Sequence, residues 1–284
     1  MNFLFAAGHY FKLKKKPIAV YCAKTNTTNQ AITNRAKKYA DFLNTEIIDD
    51  IIDNIKNKYE FILRVEENNL YLQYLPNSNF KFIQIDFNDK KLLYRLKFGG
   101  RYKEDIAKAC KVKTNNLPTI LDTTAGFGVD AFILASLGCE ITLLEREPVI
   151  YLMLQNALQC AQHNFTQKNI AKKINLLNFD SITYLRENID AKKFSVIYID
   201  NMFPPRPKSA KIKKEMYILQ MLLQNKEDDT NILFDYALRC AQNRVVIKRP
   251  KFAPFINQQQ PDITFSGKSC RYDVYLTDLG KTCL

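Results

Sequence analysis

Two short stretches carry most of the chemistry legible in this chain. In the first, D-T-T-A-G-F-G-V-D from Asp122 to Asp130, an acid ends an apolar run and two glycines, Gly126 and Gly128, precede a helix start. Glycines there let the backbone approach a ligand closely, and a carboxylate at a strand end accepts hydrogen bonds from a cationic or hydroxylated one. The spacing departs from G-x-G-x-x-G, because the third glycine is absent and Asp122 would repel a pyrophosphate. In the second stretch, the apolar run Phe194 to Ile199 leads into D-N-M-F-P-P-R-P-K-S-A, so Asp200, Asn201 and Phe203 stand where a buried strand stops. Acceptors at such a point can hold the N–H groups of an exocyclic base amine while an aromatic ring stacks on the base. The gain would come from proximity and alignment, and no cysteine in the loop offers a covalent route.

Further positions extend this site. Glu145 ends a strand in L-L-E-R-E and can accept two hydrogen bonds from ribose hydroxyls, which serves NAD and S-adenosylmethionine alike. Asp180 and Ser181 in N-F-D-S-I can meet an adenine edge or cap the helix that follows. The amino group of S-adenosylmethionine suits Asp122, whereas a dinucleotide does not. Around the second stretch lie Arg206, Lys208, Lys213 and Lys214, and V-V-I-K-R-P adds Lys248 and Arg249. Positive charge beside a base-stacking ring suits a phosphate backbone, although charge runs also mark solvated helix faces.

The elements that must position these residues can be read around them. Short apolar strands at Thr119 to Leu121, Ile141 to Glu145, Ile174 to Leu177, Phe194 to Asp200 and Arg244 to Lys248 alternate with helices near Asp130 to Leu137, Pro148 to Asn164, Lys211 to Gln224 and Thr230 to Ala241. That alternation predicts an α/β doubly wound parallel sheet, which binds ligands at the carboxyl ends of its strands. Runs at Ile263 to Phe265 and Arg271 to Leu276 predict a hairpin that adds an antiparallel strand. Earlier in the chain, a strand at Ile18 to Ala23, a helix at Gln30 to Leu43 and three runs at Tyr59 to Val65, Leu70 to Leu75 and Lys81 to Phe87 predict a small α/β domain over 1–95. The residues of the two stretches then fall in a second domain over 96–284, entered through a connector, R-L-K-F-G-G-R-Y-K-E-D.

Composition bounds the partners. With 284 residues and 46% apolar content the chain can bury a sizeable core. A formal charge of +13, from 42 basic and 29 acidic residues, favours a nucleic-acid partner through counterion release. Seven cysteines without a C-x-x-C pair and only two histidines offer no metal site. An odd cysteine count, no secretory signal and no membrane-length apolar run predict a cytoplasmic protein away from membranes. Oligomeric state is not legible.

In their order, D-T-T-A-G-F-G-V-D-A-F-I-L-A-S-L-G-C, L-L-E-R-E-P-V-I, D-N-M-F-P with K-S-A and K-K-E-M, V-V-I-K-R-P and S-G-K-S-C-R-Y-D-V-Y resemble the ribosomal RNA small subunit methyltransferase J family, over about residues 99 to 275. The resemblance implies a class I (Rossmann-like) methyltransferase fold with a seven-stranded sheet whose last strand is antiparallel. It also implies S-adenosylmethionine-dependent methylation of N2 of one guanosine in 16S ribosomal RNA, as free RNA or in the small subunit. Cofactor contacts then fall on Val129 and Asp130, Glu145 and Arg146, Asp180 and Ser181, and Asp200. Four positions depart from the family pattern: Asn201 replaces a usual Pro, Val129 a usual Arg, Pro205 a usual His, and Arg101 interrupts a glycine run. Another nucleic-acid amino-methyltransferase, a non-catalytic RNA-binding protein with a decayed site, and an NAD-dependent dehydrogenase are the competing readings; Asp122 and the missing third glycine oppose the last.

Overall fold

The apolar runs between Ile120 and Leu276 lie side by side in one sheet. The computed structural model describes residues 18–22, 30–50, 53–76, 82–189, 191–200, 214–223 and 229–282. Along them run β1 (Ile18–Tyr21), α1 (Gln30–Leu43), β2 (Ile47–Ile48), α2 (Asp53–Lys58), β3 (Phe61–Val65), β4 (Leu70–Tyr74), α3 (Lys90–Phe98) and α4 (Asp105–Ala109). There follow β5 (Ile120–Asp122), α5 (Val129–Ser136), β6 (Ile141–Leu144), α6 (Pro148–His163), α7 (Lys168–Ala171), β7 (Ile174–Leu177), α8 (Ser181–Glu187) and β8 (Val196–Ile199). The chain continues through α9 (Lys214–Leu223), α10 (Thr230–Cys240), β9 (Arg244–Pro250), β10 (Ile263–Ser266), β11 (Cys270–Leu276) and α11 (Asp278–Thr282).

The main sheet has seven strands in the order β10-β11-β9-β8-β5-β6-β7. Strands β5 to β9 are mutually parallel, and β11 enters antiparallel between β9 and β10. The chain winds outward from β5 to β6 and β7, then returns to place β8 on the other side of β5. This reversal opens a crevice at the carboxyl ends of β5 and β8, where sheets of this kind take ligands. Side chains alternate between two apolar layers. Ile120, Val196 and Val246 pack with α4, α5 and α6, whereas Leu121, Ile197 and Val245 pack with α8 and α10. Burial on both faces is why these strands read as continuous apolar runs rather than alternating ones.

A second sheet, in the order β2-β1-β3-β4, covers α6 and α9. Phe61, Leu63 and Leu72 share a core with Val149, Leu152 and Met153 of α6 and Ile218 of α9. Helix α6 thus buries one side on each sheet, which explains apolar residues nearly all round it. Helix α1 occupies the predicted span. The predicted strand from Lys81 to Phe87 does not form: in its described part Ile83 makes a single bridge to Leu72, and Phe87 stacks on Phe132 at 4.1 Å. Burying that ring in the main core draws the chain out of the small sheet. The predicted connector likewise begins inside a helix, α3, because the Asp89 carboxylate accepts the amides of Lys91 and Leu92 and Gly99 ends the last turn. Among the described residues no helix is long and apolar enough to cross a membrane.

Candidate active site

The crevice between β5 and β8 is stitched by D-T-T. Asp122 pairs in register with Tyr198 of β8. The Thr123 amide and hydroxyl both donate to the Tyr198 carbonyl at 3.0 Å, and the Ser181 hydroxyl donates to the Thr123 carbonyl at 2.6 Å. The Thr124 amide donates to Asp122 Oδ1 at 3.0 Å, while the Thr124 hydroxyl accepts the Asp200 amide at 2.6 Å. Two strand ends are therefore locked by small hydroxyl side chains. Asp122 is only 4% exposed, and burial pushes its carboxyl up to about 7, against the Thr124 amide and with help from the nearby Asp200 and Asp130 charges. A bound cation would draw it back toward the ionised form.

Beside it, Lys248 on β9 joins two carboxylates. Its Nζ lies 2.7 Å from Asp130 Oδ2 and 2.8 Å from Asp200 Oδ2. Register explains this: Ile199 pairs with Ile247, so Asp200 and Lys248 follow as neighbours. Asp130, in the first turn of α5, also accepts the Tyr198 hydroxyl at 2.8 Å and lies 3.5 Å from Arg95 of α3. Burial opposes its charge, but Lys248, Tyr198 and Arg95 together hold its carboxyl below the usual range. Asp200 has fewer partners, and burial keeps its carboxyl raised despite Lys248. The Lys248 ammonium is in turn held well above its ordinary value by the two acids, against the effect of burial.

The glycine turn is fixed from β6. Glu145 Oε2 accepts the Gly126 amide at 3.0 Å and Oε1 accepts the Glu147 amide at 2.7 Å. Gly126 (φ +51°) and Gly128 (φ +69°) both adopt left-handed conformations. A Cβ on Gly128 would stand 2.8 Å from Leu154 of α6, so close helix packing as well as the turn requires glycine there. Val129, exposed at the start of α5, presents an apolar side chain. Arg146 bonds Asp229 at 2.7 Å and lies 3.6 Å from Asp180, whose carboxylate caps α8 through the Thr183 amide.

The structure thus brings together Asp122, Gly126, Gly128, Val129, Asp130, Glu145, Arg146, Asp180, Ser181 and Asp200 at one end of the sheet. Asn201, Phe203, Arg206, Lys208 and Lys213, with Pro205, lie outside the described residues; Lys214 opens α9, and its side chain lies outside them too. The surface role predicted for Lys248 and Arg249 needs correction. Lys248 is engaged by two acids, and Arg249 is 6% exposed, so neither is an open cation for a phosphate backbone. Sequence reasoning missed Thr124, Tyr198 and Arg95. Tyr198 sits two residues before Asp200 on one strand face, a period-2 signal present in the sequence; Arg95 could be found only by reading α3 from Asp89 and Gly99.

The donor set tests the cofactor. Carboxylates at the ends of β5, β6 and β8 and after β7 complement an ammonium, ribose hydroxyls and an adenine amine, the groups S-adenosylmethionine presents. They would repel a pyrophosphate, so the residues fit the sulfonium cofactor and oppose NAD.

Comparison with known proteins agrees. A family model described as "Putative SAM-dependent methyltransferase" matches residues 47–277. Ribosomal RNA small subunit methyltransferase J of Pasteurella multocida is 41% identical over 209 residues, covering 73% of this chain and 82% of that protein. The Pseudomonas aeruginosa protein of the same name is 38% identical over 240 residues, covering 84% and 89%. Among solved structures, a SAM-dependent methyltransferase from Neisseria gonorrhoeae superposes with a TM-score of 0.69 at 24% identity, covering 92% of this chain and 96% of that one, a likeness of fold. The carboxylate-lined switch point and these matches together place the chain in the S-adenosylmethionine-dependent ribosomal RNA small subunit methyltransferase J family.

Proposed function

We propose that this methyltransferase modifies the exocyclic N2 amine of one guanosine in 16S ribosomal RNA. The observation that carries the reading is Asp200, set at the end of β8 beside Asp122 with its amide on Thr124 and its carboxylate on Lys248. Relatives named for small-subunit ribosomal RNA and the chain's +13 charge support the RNA substrate. S-adenosylmethionine supplies the methyl group when bound. The chain's own residues do the rest. Asp122 and Glu145 orient the cofactor's cation and ribose, with Asp180 and Ser181 toward the base. Asp200, ionised beside Lys248, accepts an N–H of the target amine and turns the nitrogen lone pair toward the methyl group; the proton released on transfer can leave through the same carboxylate. The sequence adds Asn201 as a second acceptor and Phe203 as the ring on which the unstacked base rests. The N-terminal part of the chain, with its small sheet, helps to grip RNA, a role supported by the lysines of residues 1–95.

Transfer of labelled methyl from S-adenosylmethionine to unmodified small subunits and to their free RNA, with the product nucleoside identified, tests this. N2-methylguanosine is the expected product, and Asp200→Ala should abolish it while cofactor binding persists. Another methylated nucleoside would move the assignment to a different nucleic-acid amine.

A further inference from the structure

The helix that sequence reading did not recognise carries an exposed aromatic pair beside the site. Helix α3 buries Leu92 and packs Leu96 against the main core. On its outer side Tyr94 is 67% exposed and Phe98 60%, and their ring centroids lie 5.0 Å apart. Positions four apart share a helix face, which is why these rings meet. Arg95 is three residues before Phe98 and reaches Asp130 at 3.5 Å, so the pair's flank adjoins the carboxylate cluster. Bonds of 2.9 Å and 2.6 Å from Arg95 to Glu104 fix the helix in that place.

Cations predominate around the pair, although Asp89 and Glu104 bound the run and Glu104 and Asp130 pair with Arg95. From Lys90 to Lys103 the sequence K-K-L-L-Y-R-L-K-F-G-G-R-Y-K contains lysines and arginines and no acid. Lys97 Nζ stands 5.2 Å from the Phe98 ring centre. Exposed rings interleaved with cations are the chemistry that single-stranded nucleic acid recognises: bases stack on the rings, and phosphates pass along the cations. An apolar protein surface would leave these cations unmatched. Another exposed ring, Phe165, stands beside Lys168 on a different element.

We propose that Tyr94 and Phe98 form a stacking platform for an unpaired RNA base flanking the target nucleotide, with Lys91 and Lys97 on its phosphates. The proposal rests on the reading of the protein as an RNA methyltransferase and adds a substrate-positioning surface outside the cofactor pocket. It separates two tasks: the cluster around Asp200 does the chemistry, and α3 sets which stretch of strand lies across it.

The test uses the full chain. A fluorescein-labelled single-stranded oligoribonucleotide from small-subunit RNA is titrated by anisotropy against wild type, Tyr94→Ala/Phe98→Ala, Tyr94→Phe and Phe165→Ala, with methyl transfer and cofactor affinity measured alongside. The double variant should bind RNA about tenfold or more weakly, with KM for RNA raised in proportion and kcat at saturating RNA and cofactor affinity unchanged. Tyr94→Phe and Phe165→Ala should match wild type. Lys97→Gln should reduce the salt slope of RNA binding by about one, whereas the ring variants should leave that slope alone. Unchanged RNA affinity and KM in the double variant, with wild type active, would overturn the platform and leave the activity standing. Loss of self-association in the double variant by sedimentation velocity, with RNA affinity intact, would overturn it in favour of a second copy. A wild-type protein that neither binds nor methylates this RNA, and transfers no methyl to unmodified small subunits, would remove the RNA-methyltransferase reading itself.

Discussion

Replacing Lys248 by methionine keeps the length of the side chain and removes its charge. Two charge-assisted bonds disappear, at 2.7 Å to Asp130 and 2.8 Å to Asp200. Such bonds are worth about 1.5–3 kcal/mol each, and the Asp200 arm belongs at the low end because that side chain is 36% exposed and screened by water. Stability should therefore fall by about 3–4.5 kcal/mol, read as a lower urea midpoint. The catalytic consequence is more specific. Asp200 already has a raised carboxyl through burial, and Lys248 is what opposes that rise. Losing that opposition moves the titration of the carboxylate further up. If Asp200 works ionised, as proposed, the acid limb of the kcat profile should shift to higher pH. Activity should drop on the acid side and recover toward wild type at alkaline pH. Methyl transfer from labelled S-adenosylmethionine to small-subunit RNA across the pH range measures this, with Lys248→Arg expected to restore part of the profile. A loss of equal size at every pH, with the limb unmoved, would refute the reasoning and leave Lys248 a packing residue.

Asp122→Asn should weaken cofactor binding and flatten its pH dependence. In the native protein, affinity for the cationic cofactor should rise as pH increases through about 7, where Asp122 ionises, and calorimetric titration on both sides of that value would show it. The sign for folding is opposite: between the ordinary carboxylate value and about 7 the folded state holds a proton that the unfolded state has lost, so this group's contribution to stability declines as pH rises. An Asn variant with the native pH dependence of affinity would assign the effect to another group. Gly128→Ala should destabilise by about 2–4 kcal/mol, combining left-handed backbone strain with overpacking against Leu154, and equilibrium urea unfolding with an unchanged midpoint would contradict the close packing seen there.

Much of this protein is local in origin and so was readable in the chain. The alternation of apolar strands and helices from Ile120 to Leu276 dictates a covered parallel sheet, because only burial on both faces accommodates such runs. D-T-T-A-G-F-G-V-D and the acid at Glu145 mark a strand end and a glycine turn wherever the chain is placed, and their chemistry selects a cationic, hydroxylated ligand over a pyrophosphate. Other features depend on which segments meet. Lys248 looked like a surface cation in V-V-I-K-R-P, but the pairing of β8 with β9 sets it on Asp200, and α5 brings Asp130 to its other side. Arg249, a neighbour in sequence, is buried by the same strand. The run ending at Phe87 has the pattern of a strand, yet its ring stacks on Phe132 because the main core offers more burial than an added strand pair. Helix α6 leaves only a narrow polar stripe, Gln155, Gln159 and Gln162, so its pattern does not show which sheet it serves, since it packs on both. Sequence periodicity determines what each segment can become; long-range pairing and competition for burial decide which charges meet, and at Asp122, Asp130, Asp200 and Lys248 that decision makes the site.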